Sequence, residues 1–114
     1  MTHVKGRSIY LSGPMTGIEG WNRQAFDDAY TEIKQMHLRI CYNPATRIDE
    51  YAKFTHQQAI LYSINELTSV EDFEPFYDLL VLLPGWKQSE GARIEREVAE
   101  LCGIEVCELS EVEE

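Results

Sequence analysis

The chain has 114 residues, and its 10 Lys+Arg against 20 Asp+Glu give a formal net charge of −10. That length holds one domain, and 44% hydrophobic with 26% charged residues supplies a core and excludes a disordered chain. So acidic a surface excludes non-specific binding to nucleic acid polymers, which relies on Lys and Arg neutralising successive phosphates. A small-molecule partner fits better.

The first strand is read over Ser8–Ser12, ended by Gly13-Pro14. A helix follows, with Asn22 as its N-cap and Phe26, Ala29, Tyr30, Ile33 and Met36 on one stripe. Leu38–Tyr42 reads as the second strand, stopped by a turn at Asn43-Pro44. From Thr46 to Asp72 the pattern is less regular, and Phe54, Gln57, Gln58, Leu61, Ile64 and Leu67 permit a helix through about Thr68. The segment Glu71–Phe76, with Pro75 inside it, is unlike a simple helix. Asp78–Leu83 is an unbroken apolar run after one acid, the pattern of a strand covered on both faces. Pro84-Gly85 ends it, and Ser89 caps a helix whose predicted core stripe is Ile94, Val98 and Leu101. Gly103 closes that helix and Ile104–Cys107 supplies a last strand. Residues 1–107 therefore form the domain, and 108–114 an acidic tail expected to fray.

The longest apolar run, Leu79–Leu83, is far shorter than the roughly 20 residues that cross a bilayer. After the basic start, Ile9-Tyr10-Leu11 is too short for a signal-peptide core. A cytoplasmic protein without membrane contact is expected. Cys41, Cys102 and Cys107 form no C-x-x-C pair and have no His at zinc-ligand spacing. Buried reduced thiols are expected, without metal, disulfide or other cofactor.

Alternating strands and helices with short connections predict an α/β domain: a parallel sheet of four or five strands with helices on both faces. Ligands of such sheets bind at the carboxyl ends of strands near the switch point. Two loops leave that edge, Ser12–Gly17 and Pro84–Ala92. In the first, Ser12 and Thr16 offer hydroxyls, while Gly13 and Gly17 free backbone amides to face an anion or polar heterocycle; a plain connecting turn reads equally well. The first loop is neither a G-x-G-x-x-G fingerprint nor a P-loop. Trp21 and Trp86 are candidates to stack a base, or packing residues.

On the last helix, Arg93/Glu97 and Arg96/Glu100 have i,i+4 spacing on an outer face. Glu95 instead shares a stripe with Ala92, Ala99 and Cys102, and Gly91 and Ala92 leave room for a ligand beside it. Burial raises and a helix N-terminus lowers a carboxylate pKa, so the pattern assigns Glu95 no direction. It reads either as a site carboxylate or as a boundary glutamate bonded to a neighbour.

The runs Tyr10–Gly17 with Asn22 and Phe26, then Asn43-Pro44, then Leu83–Trp86 followed by Ser89-x-Gly91-Ala92-x-x-Glu95-x-x-x-Ala99, resemble the nucleoside 2-deoxyribosyltransferase-like superfamily. The likeness is to its small bacterial and phage branch and covers about Ser8 to Val106. It implies a flavodoxin-like three-layer fold and chemistry at an N-glycosidic bond. A glutamate matching Glu95 attacks the anomeric carbon of a (deoxy)nucleoside or its 5'-monophosphate, giving a ribosyl-enzyme ester and a free base. Transfer to another base makes a transferase, and transfer to water a hydrolase. Ser12, Gly13, Pro14, Thr16 and Gly17 would line the sugar or phosphate side, with Trp86, Ser89, Gly91 and Ala92 near the cleft. Asp78 matches a position taken as structural or as supporting a site residue. Relatives carry an acid about two turns earlier, where this chain has Val70; Asp72, beside Glu71, is the candidate that restores it. The resemblance also implies a homo-oligomer. The alternative is a non-catalytic module that binds or sequesters a nucleotide-like molecule in the same cleft. A third reading makes the acidic tail and helix faces a protein-binding surface.

Overall fold

A computed structural model describes residues 1–114. In chain order the elements are β1 (Thr2–His3), β2 (Ser8–Ser12), α1 (Arg23–Lys34), β3 (Ile40–Tyr42), α2 (Ile48–Tyr51), α3 (His56–Leu67), β4 (Val70–Glu71), β5 (Glu74–Pro75), β6 (Leu79–Leu82), α4 (Glu90–Leu101), β7 (Glu105–Glu108) and β8 (Val112–Glu113). Four strands form the central parallel sheet in the order β3-β2-β6-β7. The chain steps outward from β2 to β3, crosses back past β2 to β6, and continues to β7. The order therefore reverses between β2 and β6, whose carboxyl ends make the switch point of a flavodoxin-like sheet.

Side-chain alternation divides the core into two layers. Ile9 and Leu11 of β2 and Leu79 and Val81 of β6 pack with Phe26, Ala29 and Ile33 of α1. Tyr10, Leu80 and Leu82 pack on the opposite face with Leu67 of α3 and Ala99 of α4. All four residues of β6 are buried, as expected of a strand covered on both sides. The expected three-layer α/β architecture is thus present.

Several expectations change in detail. Asn22 does not cap α1: its own φ is +60°, its side chain makes no capping bond, and its amide donates to the Pro14 carbonyl at 2.9 Å. Asn22 fastens the first loop instead. The irregular stretch before α3 contains a 3-10 turn at Pro44–Arg47, capped by Asn43, and the short α2. Thr55 and Gln58 then form a reciprocal capping box that starts α3.

The stripe of α4 against the sheet is not Ile94, Val98 and Leu101. Its buried residues are Ala92, Glu95 and Ala99. Small side chains let the helix lie close to the strands, leaving Ile94 and Val98 half-buried on its flank. Leu101 is two residues beyond Ala99, about 200° round the helix, and is 81% exposed. On its outer face Arg96 pairs with Glu100 at 3.1 Å, while Arg93 turns back to the Ser89 carbonyl.

The acidic tail does not fray. Glu108 and Glu111 cap each other across a 3-10 turn, and β8 then pairs in parallel with β1, so that Val112 joins the core beside Val4. One buried valine among the acids supplies the apolar anchor. Among the cysteines, Cys107 is buried and Cys41 partly so, but Cys102 is exposed because it lies just past the end of α4. No helix is long and apolar enough to cross a membrane.

Candidate active site

The period of a strand sends Tyr10 and Ser12 to the same side of β2, toward α4. Ser89 begins α4 by accepting the Ala92 N–H on its hydroxyl, and the helical period then carries Glu95 to the face that meets those two residues. Ser12 Oγ donates to Glu95 Oε1 at 2.7 Å, and the Tyr10 hydroxyl donates to Oε2. Both carboxylate oxygens are therefore held, which fixes the plane of the group. Glu95 is 8% exposed and pairs with no Lys or Arg.

Burial without a counter-cation pushes the Glu95 carboxyl up to about 7, against the downward pull of the Tyr10 and Ser12 hydroxyls. The Tyr10 phenol is held well above its usual range by burial and by the Glu95 charge. Its oxygen also lies 3.3 Å from the Ser63 carbonyl. Two proton arrangements are thus available. When Glu95 is ionised Tyr10 donates to it; when Glu95 is protonated it donates to Tyr10, whose own proton turns to Ser63.

Above this carboxylate lies a cavity of about 460 Å³, within the range of about 300–1,000 Å³ usual for small-molecule sites. The first loop gives it Gly13, Pro14, Met15, Thr16 and Ile18; the α3 side gives Tyr51, His56, Ala59, Ile60, Ser63 and Ile64. The second loop and the start of α4 give Gly85, Gln88, Ser89, Glu90, Gly91, Ala92 and Glu95. The two loops meet at the switch point. A Cβ on Gly13 would stand 2.9 Å from Leu83 Cβ, and one on Gly85 would stand 3.4 Å from Pro14. Across the cleft His56 Nε2 lies 3.0 Å from Glu90 Oε1, joining the first residues of α3 and α4.

Of the residues expected here, Glu95, Gly13, Pro14, Thr16, Ser89, Gly91 and Ala92 line the cavity, and Ser12 lies beneath it on Glu95. Gly17 does not line it; with φ at +81° it shapes the turn that follows. Trp86 is also outside. Its indole donates to Glu108 at 2.9 Å and the Arg96 guanidinium lies over its ring, in a separate hollow with Leu82 and Val106.

Asp72 is not brought to Glu95. It occupies the tip of the β4–β5 hairpin, where Asp72 and Phe73 both have positive φ, and its neighbour Glu71 pairs with Arg39 at 3.2 Å. That hairpin precedes β6, so it sits at the amino edge of the sheet, whereas the cleft opens at the carboxyl edge. Asp78 lies at the amino edge too, where Arg7 bridges it to Glu105. Of the two roles open to it in the sequence, its contacts are structural.

Tyr10, Tyr51, His56, Ser63, Ile60 and Ile64 were not among the candidates. For Tyr10 the signal was present: two residues before Ser12 in a strand, it must share the same face. No group of three or more His, Cys, Asp or Glu side chains is arranged to hold a metal ion.

No curated protein and no solved structure matches the chain. One family model does, over residues 7–108, a span that takes in both loops, α3 and Glu95. The chain accordingly belongs to that family, described as a domain of unknown function (DUF4406).

Proposed function

We propose that this protein cleaves or transfers the N-glycosidic bond of a nucleoside-like substrate, with Glu95 as nucleophile. The observation that carries the reading is a buried carboxylate, gripped by Tyr10 and Ser12 and without a cationic partner, on the floor of a cleft at the switch point. Its chemistry suits covalent catalysis. Burial penalises the charged carboxylate, and attack on an anomeric carbon converts it into a neutral ester, so the same desolvation favours the forward step. Tyr10 and Ser12 hold the attacking group in one orientation, which removes part of the entropic cost of reaction. The resemblance to the nucleoside 2-deoxyribosyltransferase-like superfamily supports the same assignment.

A second reading, binding without cleavage, is favoured by the position of Asp72, which leaves the expected proton donor at the far edge of the sheet. Incubation with deoxynucleosides separates the two readings. Release of free base by the wild type, falling by about 10³-fold or more in Glu95→Ala and Glu95→Gln while both variants remain folded, supports the nucleophile. Equal base release by the variants would sink it. Every candidate ligand recovered intact despite measurable binding establishes the second reading instead.

A further inference from the structure

Departure of a base from a sugar leaves an electron pair on its nitrogen, and a proton must meet it. Besides Glu95, the titratable side chains lining the cleft are Tyr51, His56 and Glu90. Tyr51 is engaged with the Ser63 hydroxyl at 2.7 Å, and burial pushes its phenol up, making it a poor proton donor at neutral pH. His56 differs on two counts. It is the one lining residue able to carry positive charge, and it is oriented by a carboxylate, with Nε2 3.0 Å from Glu90 Oε1. Giving its Nε2–H to Glu90 fixes the tautomer and leaves Nδ1, which has no partner in the protein, as the atom that carries the exchangeable proton. His56, Glu90 and Glu95 line the same cleft, and from Glu90 to Glu95 the helix rises about 7.5 Å.

We infer that His56, oriented by Glu90, is the general acid that protonates the departing base, an inference that rests on the glycosidic reading above. As a Glu95 oxygen forms its bond to the anomeric carbon, the carbon–nitrogen bond breaks and its electron pair stays with the base. The Nδ1 proton of the imidazolium moves to the base, leaving neutral His56 with Nε2–H still donated to Glu90. In the second step water attacks the anomeric carbon, its proton passes to Nδ1, and the ester bond breaks to return the Glu95 carboxylate. A transferred base delivers its ring N–H proton in the same way. The histidine takes the role that the sequence left to Asp72.

The test compares two substrates of the full-length protein: 2'-deoxyguanosine, whose base needs a proton to leave, and 7-methyl-2'-deoxyguanosine, whose base already carries positive charge. His56→Asn is expected to lose about 10²- to 10⁴-fold in kcat/KM on the first substrate and less than a tenth of that factor on the second. Glu90→Gln shows the same discrimination with a smaller loss. Because His56 and Glu90 are exposed, both variants are expected to keep the wild-type unfolding transition. Equal losses on the two substrates, or no loss on either, would overturn the role of His56 while leaving the Glu95 reading intact. A wild type that releases no base from either substrate overturns both.

Discussion

The protonation of Glu95 ties the stability of the protein to the chemistry of its cleft. An unfolded glutamate titrates near 4.5, and burial moves the native group up to about 7. Between these values the native state binds more protons than the unfolded chain, so stability falls as pH rises through this window. The contribution is fully present below about 4.5 and is lost above about 7. Glutamine in place of Glu95 can accept from Tyr10 and donate to Ser12 without ever becoming charged. Glu95→Gln is therefore expected to gain stability over the wild type by on the order of 2–3 kcal/mol between pH 4.5 and pH 8. Urea unfolding of both proteins across that range reads the difference; a gap that stays flat, or closes with rising pH, sinks the assignment. Nucleophilic attack needs the ionised form, so the pH that favours activity is the pH at which this residue costs the fold most. The small residues Ala92 and Ala99 on its helical face set Glu95 apart in the sequence but left it open between a site carboxylate and a boundary glutamate; the resemblance gave it the catalytic role. The direction of its titration was not legible. It is set by burial beneath the cleft, which outweighs the downward pull of Tyr10 and Ser12 on another element, and Glu95 lies more than a turn beyond the N-terminus of α4.

Between elements, the closest constraint on the site is the passage of the first loop over β6. A methyl group on Gly13 would meet Leu83 Cβ at 2.9 Å and Phe26 at 3.4 Å, both in the α1 layer of the core. Gly13→Ala is expected to cost about 1–3 kcal/mol through overpacking and to displace Pro14–Thr16, raising KM. Gly91→Ala is the contrast, because its added methyl meets nothing within 4 Å and its φ is not positive; there the helix gains about 0.5–1 kcal/mol. Chemical denaturation of the two variants checks both signs, and similar destabilisation of both would contradict the packing account. The two central strands were readable because their apolar runs end at Gly13-Pro14 and Pro84-Gly85 and are fully covered once folded. The helix permitted through about Thr68 is α3, which ends at Leu67, but its stripe was blurred because its apolar residues serve different surroundings: Leu67 enters the core, Ile60 and Ile64 face the cavity, and Leu61 is 70% exposed. A helix that lines an opening carries no clean stripe. Asp72 was misplaced for a related reason. Counting two turns back from Asp78 presumes a helix, but β4 and β5 form a tight hairpin that keeps the acid at the amino edge.

At the scale of the whole molecule, the distribution of charge bears on which substrate the cleft admits. The formal charge is −10, and three of the six arginines are paired with acids away from the cleft: Arg7 with Asp78 and Glu105, Arg39 with Glu71, and Arg96 with Glu100. No Lys or Arg lines the cavity, while Glu90 and Glu95 both do, and His56 is already paired with Glu90. A 5'-phosphate entering here would find backbone amides of the first loop and the start of α4, beside two carboxylates and within an acidic field. A free 5'-hydroxyl meets no such penalty. Deoxynucleosides are therefore expected to show a kcat/KM at least about tenfold higher than their 5'-monophosphates, a difference of about 1.4 kcal/mol in transition-state binding. Because the repulsion is electrostatic, salt should reduce it: the screening length falls from about 10 Å at 0.1 M to about 3 Å at 1 M. Base release from matched nucleoside and monophosphate pairs at several salt concentrations measures the ratio. A preference for the nucleoside that narrows as salt is raised agrees with an anion-excluding cleft, whereas a preference for the monophosphate, or a ratio indifferent to salt, overturns it.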